Sequence, residues 1–359
     1  MGKLTNSGEV SFEFKPWTDQ KCRITRLQII EQLGGKIPNG EIDMILGNDP
    51  DTEEMITEQT TGTISIVDEK ENGFSYNIDV YITDRNYYEN ILNIKFVCIK
   101  DPDFFIKRIT TEHQGGIKST IQSLYPGPTD NIRIEPSGND DTVIYQICET
   151  GYEICRRLCY SYKDQSIFAF GWDGLLIKDL CGEFDHEGNI EPFLKLEADR
   201  LTAQTDTYNL KYDKHLNSSS FSAWEDTENS TTGNTDFSSV MSKNCKVMMN
   251  YKDYRVMGID SADFVGNAWN NINFIKSKGY SCLKIVQPDI PHYKLGDVVL
   301  YSRASQEKSI PWERYLIASN ELFFSADANR KMDENGLRFS WTSYLYGLDE
   351  GTWSKDPEE

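Results

Sequence analysis

Arg23-Ile24-Thr25-Arg26-Leu27-Gln28-Ile29 alternates polar and apolar side chains. A period of two is the pattern of a strand with one wet face and one buried face. Similar stretches follow at Thr63-Ile64-Ser65-Ile66-Val67 and Phe74-Ser75-Tyr76-Asn77-Ile78-Asp79-Val80-Tyr81. Between these two, Glu69-Lys70-Glu71-Asn72-Gly73 supplies an Asn-Gly step, which predicts a hairpin. Asn93-Ile94-Lys95-Phe96-Val97-Cys98-Ile99 predicts one more strand, and Gly34-Gly35 and Pro38-Asn39-Gly40 punctuate the run. Strands in this order predict a small barrel or sandwich over residues 1–110.

The period then changes. Ile117, Ile121 and Leu124 lie four and three residues apart, the spacing of one helical face that stops before Pro126-Gly127-Pro128. Ile144, Ile147, Cys148, Gly151, Ile154, Cys155, Leu158 and Cys159 continue at helical spacing and predict a long helix over 142–161. Its stripe would bury Ile144, Ile147, Ile154 and Leu158 and leave Glu149, Glu153, Arg156 and Arg157 exposed. Ser166-Ile167-Phe168-Ala169-Phe170, a Trp172-Asp173-Gly174 turn and Leu175-Leu176-Ile177 complete an α/β unit at 111–190.

A second strand-rich part spans 191–348. It looks strand-like from Pro192 to Tyr212 and carries a long polar loop at 216–240. A helix is expected from Ser261 to Gly279, with Phe264, Ala268, Ile272 and Ile275 inward. Strands are expected at 282–286, 297–301 and 337–345, and two more within 315–325. The tail at 349–359 is polar. The fold class expected is therefore mainly β with an α/β insertion: two small β-barrel-like domains plus a helix-containing unit.

Composition narrows the function. Aromatic residues make up 12% of the 359, too many for a disordered chain and well suited to half-buried strands. The formal charge of -20 disfavours binding that neutralises nucleic-acid phosphates, and disfavours an anionic membrane surface. No apolar stretch approaches the ~20 residues of a membrane span, and Met1-Gly2-Lys3-Leu4-Thr5-Asn6 opens no apolar signal region. Eight cysteines are scattered along the chain without a CxxC pair, which reads as reduced, core-filling thiols.

Chemistry-bearing residues are few. His113, His186, His215 and His292 are far apart in sequence and fit no ligand pattern. Cys155 and Cys159 share a helical face and could orient two thiolates at a metal, but they also simply continue the apolar stripe. Asp333-Glu334-Asn335-Gly336 reads as a hairpin turn rather than a calcium loop. Asp173, beside Trp172, is the one carboxylate that a sugar-cleaving acid pair would want, although an Asp-Gly step is also an ordinary turn. The reading is of no catalytic, metal or cofactor residues and no enzyme. The alternatives are a carbohydrate-active enzyme using paired carboxylates, or a generic binding module.

The order of parts resembles the central hub protein of contractile phage tail baseplates, a family related to the base of type VI secretion spikes. The resemblance is carried by Gly116-Ile117-Lys118-Ser119-Thr120-Ile121-Gln122-Ser123-Leu124-Tyr125 and by the apolar stripe running into Ile167-Phe168-Ala169-Phe170-Gly171-Trp172. It is also carried by Asn271-Ile272-Asn273-Phe274-Ile275 leading to Tyr293-Lys294-Leu295-Gly296-Asp297-Val298-Val299-Leu300-Tyr301, and by Tyr315 to Ser325. The resemblance implies two similar barrels per chain and a homotrimeric ring. It implies a tail tube protein on one end, a trimeric spike on the other, and other baseplate proteins around it. It further implies a virion tail location after synthesis in the bacterial host cytoplasm, with no sequence-specific nucleic-acid binding. If DNA passes through such a ring, the acidic composition predicts a bore wall poor in Lys and Arg.

Overall fold

The computed structural model describes residues 4–6, 10–15, 23–45, 60–68, 75–88, 91–127, 143–160, 166–179, 195–197, 202–204, 221–224, 247–250, 282–287, 290–291, 293–302, 313–325 and 339–347. The first part holds β1 (Leu4–Asn6), β2 (Val10–Lys15), β3 (Arg23–Gln32), β4 (Asn39–Ile45), β5 (Thr61–Asp68), β6 (Ser75–Tyr88) and β7 (Ile91–Val97). The middle holds α1 (Asp103–Ile106), β8 (Ile109–His113), α2 (Gly116–Leu124), β9 (Ile144–Glu149), α3 (Gly151–Tyr160), β10 (Ser166–Gly171) and β11 (Gly174–Asp179). The last part holds β12 (Lys195–Glu197), β13 (Thr202–Gln204), β14 (Phe221–Trp224), β15 (Val247–Asn250), β16 (Cys282–Gln287), β17 (Val298–Ser302), β18 (Glu313–Ser325) and β19 (Phe339–Gly347). The protein is mainly β with a few helices between strand-rich ends.

The alternating stretches fold as the period demands. In β6, Tyr76, Ile78 and Val80 turn inward while Ser75, Asn77 and Asp79 face water. Leu92, Ile94 and Phe96 of β7 do the same, and both strands feed one core with Leu27, Ile29 and Ile42. A 13-stranded sheet runs in the order β1-β2-β5-β6-β7-β4-β3-β18-β19-β16-β13, with β17 on β18 and β12 on β17. β3 and β18 pair antiparallel from Gln32 opposite Ser319 to Arg26 opposite Ser325, so the hydrogen-bond ladder passes directly from the first part of the chain to the last.

Three expectations need correction. The stripe at 142–161 is not one helix. Its first half is β9, paired with β8, and only Gly151–Tyr160 is helical. Ile144 and Gln146 point inward at strand spacing, while Ile147 is 52% exposed. A register shift in the pairing between Ile109 and Thr111, with Cys148 at φ 52°, puts a bulge near the end of the strand. Thr150 then starts the helix with a reciprocal cap: the Glu153 N–H donates to Thr150 Oγ1 at 3.1 Å, and the Thr150 N–H donates to Glu153 Oε2 at 2.9 Å. The four charged residues are also more covered than expected. Arg157 Nη2 lies 2.6 Å from Glu149 Oε2, Arg108 Nη2 lies 2.7 Å from Glu153 Oε1, and Arg156 sits over the Tyr152 ring. Burial pushes the Glu153 carboxyl up, but the Thr150 N–H and the Arg108 guanidinium outweigh it and hold the group below its ordinary value.

Residues 315–325 form one 13-residue strand rather than two. The chain only shifts register between Ile317 and Ser319, and the Leu33 N–H donates to the Ala318 carbonyl at 2.9 Å. Within the expected loop at 216–240, β14 forms a four-residue strand parallel to β15. The helix expected at 261–279, the turn at 333–336 and the tail at 349–359 lie outside the described residues.

Ile154 is 0% exposed and belongs to the core cluster that also takes in Leu158, Phe170 and Leu316. Ile154→Ala is expected to cost about 2–4 kcal/mol, because the surrounding elements can collapse only partly into the void. Chemical denaturation measures this, and a loss under about 1 kcal/mol would mean that the site is not closed.

Candidate functional site

The β10–β11 hairpin is closed by the two-residue Trp172-Asp173 turn, with Gly171 opposite Gly174. The hairpin docks on the end of β3: Gly34 bridges Ala169, and the Gly34 N–H donates to the Phe168 carbonyl at 2.7 Å. This brings the turn over Glu31, a carboxylate 2% exposed in the middle of the protein. The Trp172 N–H donates to Glu31 Oε2 at 3.1 Å, and Asn320 Nδ2 on β18 donates to Oε1 at 2.9 Å. Ser319 Oγ donates to the Glu31 carbonyl at 2.7 Å. One side chain therefore ties together β3, the hairpin turn and β18.

The network continues into the last strands. Asn320 Oδ1 accepts from Ser343 Oγ at 2.8 Å and from Trp341 Nε1 at 3.3 Å. Tyr293 donates its hydroxyl to Ser343 Oγ at 2.9 Å and accepts from Gln287 Nε2. An aromatic cluster closes over it: Trp172 meets Trp341 edge-on at 5.3 Å, and Tyr76 lies 6.4 Å from Trp172 and 6.3 Å from Trp341. At the rim, Lys294 Nζ bonds Asp173 Oδ2 at 2.8 Å.

Burial and the neighbouring Asp173 charge raise the Glu31 carboxyl to about 8, against the weaker pull of its two hydrogen-bond donors and Lys294. Burial likewise pushes the Tyr76, Tyr293 and Cys98 groups up, so they stay neutral. The junction is a packed polar seam with a rim cation, built to hold segments together.

Asp173 does sit in a turn beside an aromatic, but Trp172 is 7% exposed and packs inward. The carboxylate on which Asp173 acts is Glu31, which is enclosed and hydrogen-bonded, so this pair is not open to a sugar. Cys155 and Cys159 are brought together in the core, where burial pushes both thiols up and away from thiolate. His113 Nε2 is 2.9 Å from Gln146 Oε1, within the β8–β9 ribbon. His186, His215 and His292 lie outside the described residues. No group of three or more potential metal ligands occurs among the described residues, and no described helix is long and apolar enough to cross a membrane. The sequence reading missed Glu31, Asn320 and Ser343, whose partners lie on strands far away in the chain.

No family model matches the chain, and no curated protein sequence matches it. Solved structures do. A tail protein from Neisseria meningitidis MC58 aligns with 96% of this chain and 98% of its own, at 11% identity and a TM-score of 0.51. The 43 kDa tail protein of prophage MuSo2 from Shewanella oneidensis covers 95% of this chain and 96% of its own, at 12% identity and a TM-score of 0.48. An E. coli component of the type VI secretion system, described as structurally similar to T4 bacteriophage tail proteins, covers 94% of this chain and 77% of its own, at 10% identity and a TM-score of 0.47. Along nearly its whole length, the chain has the fold of the N. meningitidis tail protein.

Proposed function

We propose that this chain is a structural hub of a phage tail or related injection machine. In this reading 1–110 and 191–348 are barrel-like domains and 111–190 is the α/β unit between them. Three copies close a ring that joins the tail tube to a trimeric spike. The observation that carries the reading is the end-to-end alignment with a tail protein, 96% of this chain on 98% of the other. Two features support it. The β3–β18 ladder makes a continuous sheet suited to bearing load, and the acids at the junction are engaged in structure rather than offered to a substrate.

Molar mass in solution tests the proposal. Light scattering on purified protein, alone and with a tail tube protein, is expected to give three chain masses and a ring in negative stain. A monomer under both conditions would overturn it. In the trimer, the bore wall is expected to be acidic or neutral, since clustered cations would bind phosphates and slow a passing strand. A wall lined mainly by Lys and Arg would remove that part of the reading.

A further inference from the structure

Along β4, β7 and β6 the outward side chains stand in cross-strand rows. Ile45 lies opposite Ile91, and Ile91 opposite Tyr88, at the end of the sheet where β6 leads into β7. The next row is Asp43, Asn93 and Asn86, tied by the bond from Asn93 Nδ2 to Asp43 Oδ1 at 2.6 Å. The third is Glu41, Lys95 and Asp84. Two rows are polar, as the wet face of a sheet requires, and the terminal row is apolar. Ile45 is 42% exposed and Tyr88 73%. A second apolar group stands on the ribbon of β8 and β9. Tyr145 and Ile147 point away from the core on β9, and Ile106, 70% exposed, ends α1. Arg108 Nη1 donates to the Cys148 carbonyl at 2.8 Å and holds the segment after α1 against the end of β9. Strand β7 separates the two groups. It runs ~20 Å from Ile91 in the apolar row to Val97. The chain then passes through Ile99, which shares a core with Ile144 and Ile154, into α1.

We propose that these patches are the two halves of one head-to-tail contact between copies of this chain: the row of Ile45, Ile91 and Tyr88 in one copy seats on the face of Ile106, Tyr145 and Ile147 in the next. This contact rests on the ring reading and names where its subunits touch. A ring closed by rotation uses two different surfaces on each subunit. Patches at opposite ends of a paired strand supply them, and one chain cannot cover its own. Aromatic and aliphatic side chains exposed together have the composition of an interface core. Charge favours the same pairing. Residues 106–113 and 144–160 carry four cations, Lys107, Arg108, Arg156 and Arg157, against three acids, Glu112, Glu149 and Glu153. That is a locally positive stretch in a chain of formal charge -20. Residues 41–45 and 82–95, which supply the apolar row, carry four acids, Glu41, Asp43, Asp84 and Glu89, against Arg85 and Lys95, and Arg26 of β3 offsets one of the acids. Acidic copies repel one another, so the positive ribbon is where the acidic strand ends of a second copy can approach.

Molar mass by light scattering decides it, using Tyr88→Glu and Ile147→Glu at two exposed positions, with an unchanged urea midpoint as the check that each variant is folded. Wild type is expected at three chain masses. Each variant alone keeps only one half of the contact and is expected as a monomer, its concentration for half-assembly raised on the order of ten-fold or more. In an equal mixture at high concentration, the intact apolar row of Ile147→Glu meets the intact ribbon of Tyr88→Glu. A species of two chain masses is then expected, and nothing larger. Variants that remain trimeric would overturn the contact and leave the ring reading standing. A wild type that is monomeric, alone and with a tail tube protein, would remove the ring and the contact together. Ile147→Glu pairing with itself would mean that the apolar row meets its own copy, and a mixture holding only monomers would mean that the two patches do not meet; either result overturns the contact. Should a glutamate variant fail to fold, Tyr88→Thr or Ile147→Thr, which suits a strand, replaces it with the same outcomes.

Discussion

Trp341→Ala is expected to be among the most damaging single substitutions in the described part of the protein, costing about 3–5 kcal/mol. Trp341 is 1% exposed and is one of the largest fully buried side chains. Its indole packs on Trp172 from the hairpin and on Tyr76 from β6, so it touches elements from the first and middle parts of the chain while standing on β19 from the last. Its Nε1 also donates to Asn320 Oδ1 and to Ser343 Oγ at 3.2 Å. Truncation would open a large cavity beside a buried carboxyl and strip a donor from the network around Asn320. Trp341→Phe keeps most of the apolar bulk and loses mainly the indole hydrogen bonds, so it is expected to cost only about 1–2 kcal/mol. The midpoint of urea unfolding for the two variants measures the difference. Equal losses would mean that ring volume does not hold this junction, and a loss under about 1 kcal/mol in the alanine variant would mean that the neighbours close the space.

The sheet was legible because its information is local. Ile24, Leu27, Ile29, Ile64, Ile66, Ile78 and Ile94 stand at alternating or near-alternating positions, and each turns inward within its own strand. The misread stripe at 142–161 shows where such reading ends. Strand and helix periods both bring Ile144 inward, and the polar Gln146 hid the strand because it is buried and hydrogen-bonded to the Glu149 carbonyl at 2.8 Å. Thr150 and Glu153 were the local signal that the helix starts there, three residues apart as a reciprocal cap needs. The junction had one faint local signal: Glu31 stands in register with Leu27 and Ile29 on the inward face of β3, an acid where the period asks for an apolar residue. Its two partners lie 141 and 289 residues along the chain, beyond any local reading. Asp173 was visible as a turn residue, but its role depends on Glu31 beneath it and Lys294 beside it.

Gly296→Ala is the second substitution expected to be costly, and its cost can be divided. Residues Lys294 to Asp297 form a turn in which the Asp297 N–H donates to the Lys294 carbonyl at 3.1 Å and Gly296 has φ +80°. A turn with positive φ at its third position favours glycine, and an alanine there adds about 1–2 kcal/mol of backbone strain. The turn is also tightly held: the Gly296 N–H donates to the Ile317 carbonyl at 2.9 Å, the Ile317 N–H returns to the Asp297 carbonyl at 2.9 Å, and Lys178 Nζ reaches the Gly296 carbonyl. It therefore cannot move aside. A Cβ at this position would lie 2.2 Å from Leu176 Cδ2 on β11, which adds about 1–3 kcal/mol of overpacking unless the hairpin shifts. The clashing atom is the end of one side chain, so Leu176→Ala should relieve that share and leave the strain. The double variant is thus expected to lose about 1–3 kcal/mol less than the sum of the two single losses, measured as the coupling in a double-mutant cycle of urea unfolding. Simple additivity would show that the cost lies in the backbone alone and that the hairpin does not rest on this turn. A positive coupling would show that the Leu295-Gly296-Asp297 step is kept open so that β11 can pack against it, which places the Trp172-Asp173 turn over Glu31.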